Sequence, residues 1–353
     1  MATKKIKLIR FSKPIGVLFK HKQSFFKEND MWLELARKTE TLYLKQPRRR
    51  ACKNCAKRLG AVTFYKMGIP YIVCLHCSHL NGAHEDTEKF CKAAYLEQEE
   101  SYAADYGAEN IKAYTQRVQD IYLPKAKFLK EALVADGRDP KKFQYADIGA
   151  GSGYFVAALA DAGLKNATGY EVSETMVRLG QAMRPDIALK QMGRLDDVVG
   201  LARTVEADVV SLIGVLEHVQ RPREVLAALR ANPRVKYVFI FVPLFSPSVF
   251  FELAFPHVMQ RVLSAEHTHL YTEQSIQYFC KEFGLRSVGE WWFGTDIMDL
   301  YRSLQVTLAQ DPRNKSASAL LAQMIIPLID PLQAELDKSK LSSEVHMLLA
   351  RKK

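Results

Sequence analysis

A chain of 353 residues, 48% apolar and 25% charged, has the makeup of a soluble globular protein and room for one large α/β domain with smaller attachments. Its net charge of +11 suggests a nucleic-acid partner until it is located: residues 1–50 hold fourteen Lys/Arg against four Asp/Glu, and the remaining 303 are close to neutral. A broadly basic catalytic body is thereby set aside, and the charge belongs to an N-terminal arm that includes Arg48, Arg49 and Arg50.

The arm, residues 1–50, reads as a solvated and partly flexible extension; the functional alternative is contact with RNA, an anionic membrane or an acidic glycan lipid. Met1 to Arg10 is basic without the apolar core of a secretory signal, so a cytoplasmic, reducing compartment is expected. Next come Cys52-Lys53-Asn54-Cys55 and Cys74-Leu75-His76-Cys77, two C-x-x-C pairs with eighteen residues between them. Each pair can set two thiolates on one side of a tight turn, and two such turns give tetrahedral S₄ coordination of zinc. Four cysteines close the shell, so the zinc would be structural, in a ribbon-like module over residues 51–90 with strands near 61–65 and 71–73. Cys91 is left undecided. Cys280 lies on the apolar face of a helix capped by Thr272 and is expected in the core.

Residues 91–135 form a tyrosine-rich helical connector. Tyr102 and Tyr106, four apart, share a helix face and could cover a cationic cofactor; packing against a sheet explains them as well. After a strand-like lead-in comes Asp147-Ile148-Gly149-Ala150-Gly151-Ser152-Gly153, then an apolar helical pattern, then a second strand closing on Glu171 and Val172. Strand, glycine turn, helix, strand and acid form the layout of a nucleoside-binding βαβ unit. Glycine spares the ligand a side chain and permits positive φ, while a carboxylate accepts both hydroxyls of a ribose. The segment resembles motif I of the class I S-adenosylmethionine (SAM) methyltransferases. The resemblance implies SAM as cofactor, with Asp147, Gly149, Ala150, Gly151 and Gly153 at its methionine portion, Glu171 and Val172 at the ribose, and Leu195 or Asp196 at the adenine edge.

Further strands are expected at 187–191, 207–213 and 237–242. The third of these opens an apolar stretch, 238–259, which Pro243, Pro247, Pro256 and Glu252 make a poor continuous transmembrane helix. The strand at 207–213 runs into Gly214-Val215-Leu216-Glu217-His218-Val219, which resembles the V-L-E-H-V segment after strand four in one branch of these enzymes. Ile213, Gly214 and Val215 are then candidate cofactor contacts, and His218 a candidate base or a hydrogen-bonded structural residue. Ser264 to Thr272 supplies the densest set of proton carriers, with His267 the first choice of base and His269 and Glu266 behind it. The fold expected is α/β: a Rossmann-like class I methyltransferase sheet over 136–305, a small N-terminal zinc-ribbon-like module, and helical extensions including a tail at 306–353. That tail packs on the body or makes a dimer contact.

The order of modules resembles methyltransferases of sugar and polysaccharide biosynthesis. Nucleotide-sugar C-methyltransferases among them carry Tyr-His-Glu-His where this chain has Ser264-Ala265-Glu266-His267, and they carry a further C-terminal domain. Those departures favour methylation of a hydroxyl, which needs one base. The competing class is an RNA methyltransferase gripping its substrate with zinc ribbon and basic arm.

Overall fold

The computed structural model describes residues 6–16, 26, 28–96, 110–193, 197–259, 261–264 and 267–352. Its strands are, in chain order, β1 (Leu8–Phe11), β2 (Phe64–Lys66), β3 (Ile69–Val73), β4 (Leu80–Gly82), β5 (Tyr145–Ile148), β6 (Ala167–Glu171), β7 (Ala188–Gln191), β8 (Val209–Ile213), β9 (Tyr237–Pro243), β10 (His269–Leu270), β11 (Leu285–Phe293) and β12 (Glu344–Arg351). Eight form one sheet in the order β1-β11-β12-β9-β8-β5-β6-β7. All neighbours pair in parallel except at β12, which is antiparallel to both β9 and β11.

Central strands buried on both faces can be apolar at nearly every position, and β8 and β9 are. Alternate side chains serve opposite faces. In β9, Tyr237 and Phe239 enter the core under the Leu123–Ala135 and Tyr154–Asp161 helices, while Val238, Ile240 and Val242 enter the core under the Pro222–Ala231 and Glu273–Glu282 helices. The polar exception in β8 is Ser211, whose hydroxyl donates to Asp147 Oδ1 at 2.5 Å.

The segment expected as a helical tail ends in β12, the strand between β9 and β11, so the sheet domain does not stop at residue 305. Before it, the helical run Pro312–Lys338 is long and apolar enough to cross a membrane by length and composition, with 11% of its most apolar window buried. Pro327 and Pro331 fall inside that run, and Leu320, Met324, Ile326, Leu328 and Leu332 are exposed along it.

The arm and the cysteine module are built into the fold. β1 adds an edge strand parallel to β11, and the Asn29–Leu44 helix buries Tyr43 against the module, its hydroxyl donating to the His84 carbonyl at 2.6 Å. β2, β3 and β4 continue into β10 as a four-stranded antiparallel sheet. The module thus hydrogen-bonds to the chain that follows β9, and the two share a core: Tyr43, Ile69, Tyr71 and Leu80 pack with Val249, Val262, Leu263 and Leu270.

Candidate active site and metal centre

A cavity of about 690 Å³ opens at the carboxyl ends of β5, β6 and β8, where ligands bind in open α/β sheets. Its floor is the glycine turn. Gly149, Gly151 and Gly153 all have positive φ, at 76°, 53° and 78°. A Cβ on Gly149 would lie 2.6 Å from a Val215 methyl, and one on Gly153 2.7 Å from Ile187, so these two glycines allow close packing of the turn. A Cβ on Gly151 would meet nothing within 4 Å among the described residues, and Gly151 lines the cavity.

The two acids differ in environment. Asp147 is 2% exposed, and burial lifts its carboxyl to about 7 against the opposing hydrogen bond from Ser211; the Glu171 charge adds to the rise. Glu171 is held by the backbone: Gly151 N–H donates to Oε2 at 2.7 Å, and Val172 and Ser173 N–H donate to Oε1 at 2.8 and 3.0 Å. Each carboxylate oxygen has two acceptor positions, so Oε2 keeps one for a ligand hydroxyl. The carboxylate also locks the turn that it serves.

Asp147, Gly149, Ala150, Gly151, Glu171, Val172, Ile213, Gly214 and Val215 all line the cavity; Gly153 does not, and instead opens the Tyr154–Asp161 helix. Tyr102, Tyr106, Leu195, Asp196 and Glu266 lie outside the described residues. Tyr122, one of the tyrosines of the helical connector, also lines the cavity; sequence reasoning passed over Met176, Met192 and the segment carrying Glu88 and Lys92, which brings the cysteine module's flank onto it. Tyr122 stacks on Tyr154 at 5.1 Å, and Tyr154 on Tyr114 at 4.6 Å. The Tyr114 hydroxyl donates to the Ser152 carbonyl at 2.8 Å, so the tyrosine connector braces the glycine turn.

Of the candidate bases, the structure brings His218 and His267 together and leaves His269 apart. His218 lines the cavity, and its ring centroid is 4.8 Å from that of His267. His267 Nδ1–H donates to the Val262 carbonyl at 2.9 Å, which leaves Nε2 as the acceptor; burial depresses its basicity. Glu217, absent from the sequence-based candidates, is 2% exposed beside them, its carboxyl lifted by burial to about 8. Its place in the V-L-E-H-V segment was the available signal. His269 is 0% exposed on β10, with Nδ1 2.9 Å from His79 Nε2, and it does not line the cavity.

Cys52, Cys55, Cys74 and Cys77 converge, all buried, as the spacing implied. The Cys52–Cys77 and Cys55–Cys74 sulfurs are 3.7 and 3.6 Å apart. Zinc–sulfur bonds of about 2.3 Å in a tetrahedron put sulfurs about 3.8 Å apart, so the quartet fits the ion. Asn81 Nδ2 donates to Cys52 Sγ at 3.5 Å, an outer-shell contact.

Residues 116–289 match the family model of a methyltransferase domain. Over that stretch, just under half of its length, the chain carries a methyltransferase domain. It brings together the sheet order with one antiparallel strand, the glycine turn and the two acids of a class I Rossmann-like methyltransferase. Among solved structures, the methyltransferase is similar to magnesium protoporphyrin IX methyltransferase from Synechocystis, at 14% identity over 75% of this chain and 97% of that one, TM-score 0.44. It is also similar to a sarcosine dimethylglycine methyltransferase from Galdieria sulphuraria, at 12% identity over 72% of this chain and 98% of that one, TM-score 0.45. No curated protein matches the sequence.

Proposed function

We propose that this methyltransferase acts on a hydroxyl, in preference to a carbon, of a sugar, nucleotide sugar or glycan. SAM supplies a methyl group activated on a sulfonium, so the protein's task is to align the acceptor and accept one proton. The reading is carried by His218 on the cavity lining with the His267 ring 4.8 Å from it, outside the lining, and by the Val262 carbonyl, which turns His267 so that Nε2 is free of its proton. Nε2 of His267 takes the acceptor proton, and His218 holds the acceptor oxygen on the cavity wall. Glu171 receives a ribose hydroxyl at the remaining position on Oε2. The Asp147 carboxylate, deep under the turn, favours the positively charged methionine end.

The cysteine quartet would hold zinc as a closed structural centre that supplies no chemistry to the reaction. A reducing, cytoplasmic setting suits four thiolates kept for a metal.

The test is transfer of radiolabelled methyl from SAM to a panel of nucleotide sugars and glycans, with the product's methyl position read by NMR. A methoxy product is expected. Label found only on RNA, or only on carbon, would overturn the hydroxyl assignment.

A further inference from the structure

We propose that Glu217, His218 and His267 form a second metal site, for a divalent transition-metal cation, at the wall of the SAM cavity. One ligand atom from each lies within 4.8 Å of the other two. Glu217 Oε2 is buried and has no hydrogen-bond partner among the described residues. A buried acceptor left unpaired costs about 1–3 kcal/mol, and a cation at the centre of the cluster relieves that cost. His267 meets the requirement placed on a metal-binding ring: one nitrogen donates to a backbone carbonyl, which fixes the tautomer and turns the other nitrogen toward the ligand site. The His218 ring, tilted 44° to it with centroids 4.8 Å apart, supplies the second imidazole.

Two imidazoles and one carboxylate select manganese, iron, cobalt or zinc over magnesium or calcium. This centre differs from the cysteine quartet in kind. Four thiolates close a structural shell, whereas three ligands leave positions open, and His218 places them toward the cavity. The proposal rests on the hydroxyl-methylation reading and narrows its substrate. An acceptor hydroxyl with a second oxygen on the neighbouring carbon, as in a sugar diol, fills two open positions by chelation. Coordination lowers the hydroxyl's pKa and its proton leaves to water. The oxygen's electron pair then forms the bond to the methyl carbon as the carbon–sulfur bond breaks. In the loaded site His267 Nε2 is a ligand of the cation, so its part is to hold the metal and the proton goes to water instead of to the ring.

The experiment is a Mn²⁺ titration of the full chain, after EDTA dialysis that leaves the cysteine quartet loaded, with free Mn²⁺ read by electron paramagnetic resonance. Thiolates are poor partners for Mn²⁺, so the quartet stays silent. One Mn²⁺ held per chain is expected, with histidine nitrogen couplings in its pulsed spectrum. His267→Ala and Glu217→Gln should each weaken it at least tenfold while circular dichroism and SAM calorimetry stay as in the wild type. No Mn²⁺ held, couplings to water alone, or both variants binding as the wild type would overturn the site. SAM calorimetry separates the two readings. A chain that binds SAM but no Mn²⁺ loses only the metal site, and one that binds neither loses the methyltransferase reading too.

Discussion

Burial lifts the Asp147 carboxyl to about 7, whereas Glu171, twenty-four residues on, sits among three backbone N–H donors. The sign of the Asp147 effect is definite. With a folded-state value above the unfolded one, the folded protein takes up a proton between pH 4 and 7, and the cost of burying the charge is fully present only above that window. A cationic ligand favours the carboxylate, so SAM affinity should rise from pH 6 to pH 8 with net proton release on binding. Calorimetry in buffers of different ionisation heat reads this directly, and Asp147→Asn should abolish the pH dependence. His267→Ala should cut methyl transfer at least a hundredfold with little change in SAM affinity, because general-base removal costs about 10²–10⁴. Unimpaired turnover would remove His267 from the mechanism.

At the level of elements, the cysteine module is a strut for the loop that carries His267. Lys53, between two of the cysteines, donates through Nζ to the Val219 carbonyl at 3.0 Å, beside Glu217 and His218. Asn54 Nδ2 donates to the Ser275 carbonyl at 2.9 Å. Lys66 pairs at 3.1 Å with Glu252, whose carboxylate accepts the N–H groups of Arg261, Val262 and Leu263, and the Val262 carbonyl in turn holds His267. β4 pairs with β10, and the Gly82 N–H donates to the Thr268 carbonyl at 2.7 Å. Cys74→Ser should therefore raise amide exchange across 262–272 and leave the glycine turn at 147–153 protected. Equal protection of both segments in wild type and variant would show that the module does not support the loop.

The same elements show what was legible in the sequence. The glycine turn, the C-x-x-C pairs and the Thr272 N-cap are local patterns, and each stands where expected; the reciprocal bond that makes the cap a capping box with Ser275 is an addition of the structure. β12 was not legible: Val345 to Ala350 is an apolar run interrupted only by His346 after a helical stretch, and so short a run carries no period that separates strand from helix. The closeness of Glu217 to His267 was hidden too, since fifty residues of chain separate them in the sequence.

For the whole molecule, placement of charge differs from what composition conveys. Beyond the arm the sequence is near neutral, yet Arg138, Lys236, Arg286, Arg351 and Lys352 gather around a second cavity of about 410 Å³ at the amino-terminal edge of the sheet. Asp136 and Asp208 offset two of them. A seven-residue strand spans about 23 Å, so this basic face stands a strand's length from the SAM cavity. Polyanions bound there should be released by salt, and Arg351→Ala with Lys352→Ala should shorten retention on heparin without altering SAM affinity. A fall in SAM affinity would mean that the two edges are coupled.

The assignment of the cavity over the glycine turn to SAM is put to the test by isothermal calorimetry of SAM against the wild-type chain and Glu171→Ala. Loss of a hydrogen bond to a charged group costs about 1.5–3 kcal/mol, which converts to roughly a ten- to hundredfold weakening. One SAM bound per chain is expected, with that loss of affinity in the variant. No binding to the wild-type chain, or equal affinity in both, would contradict the assignment.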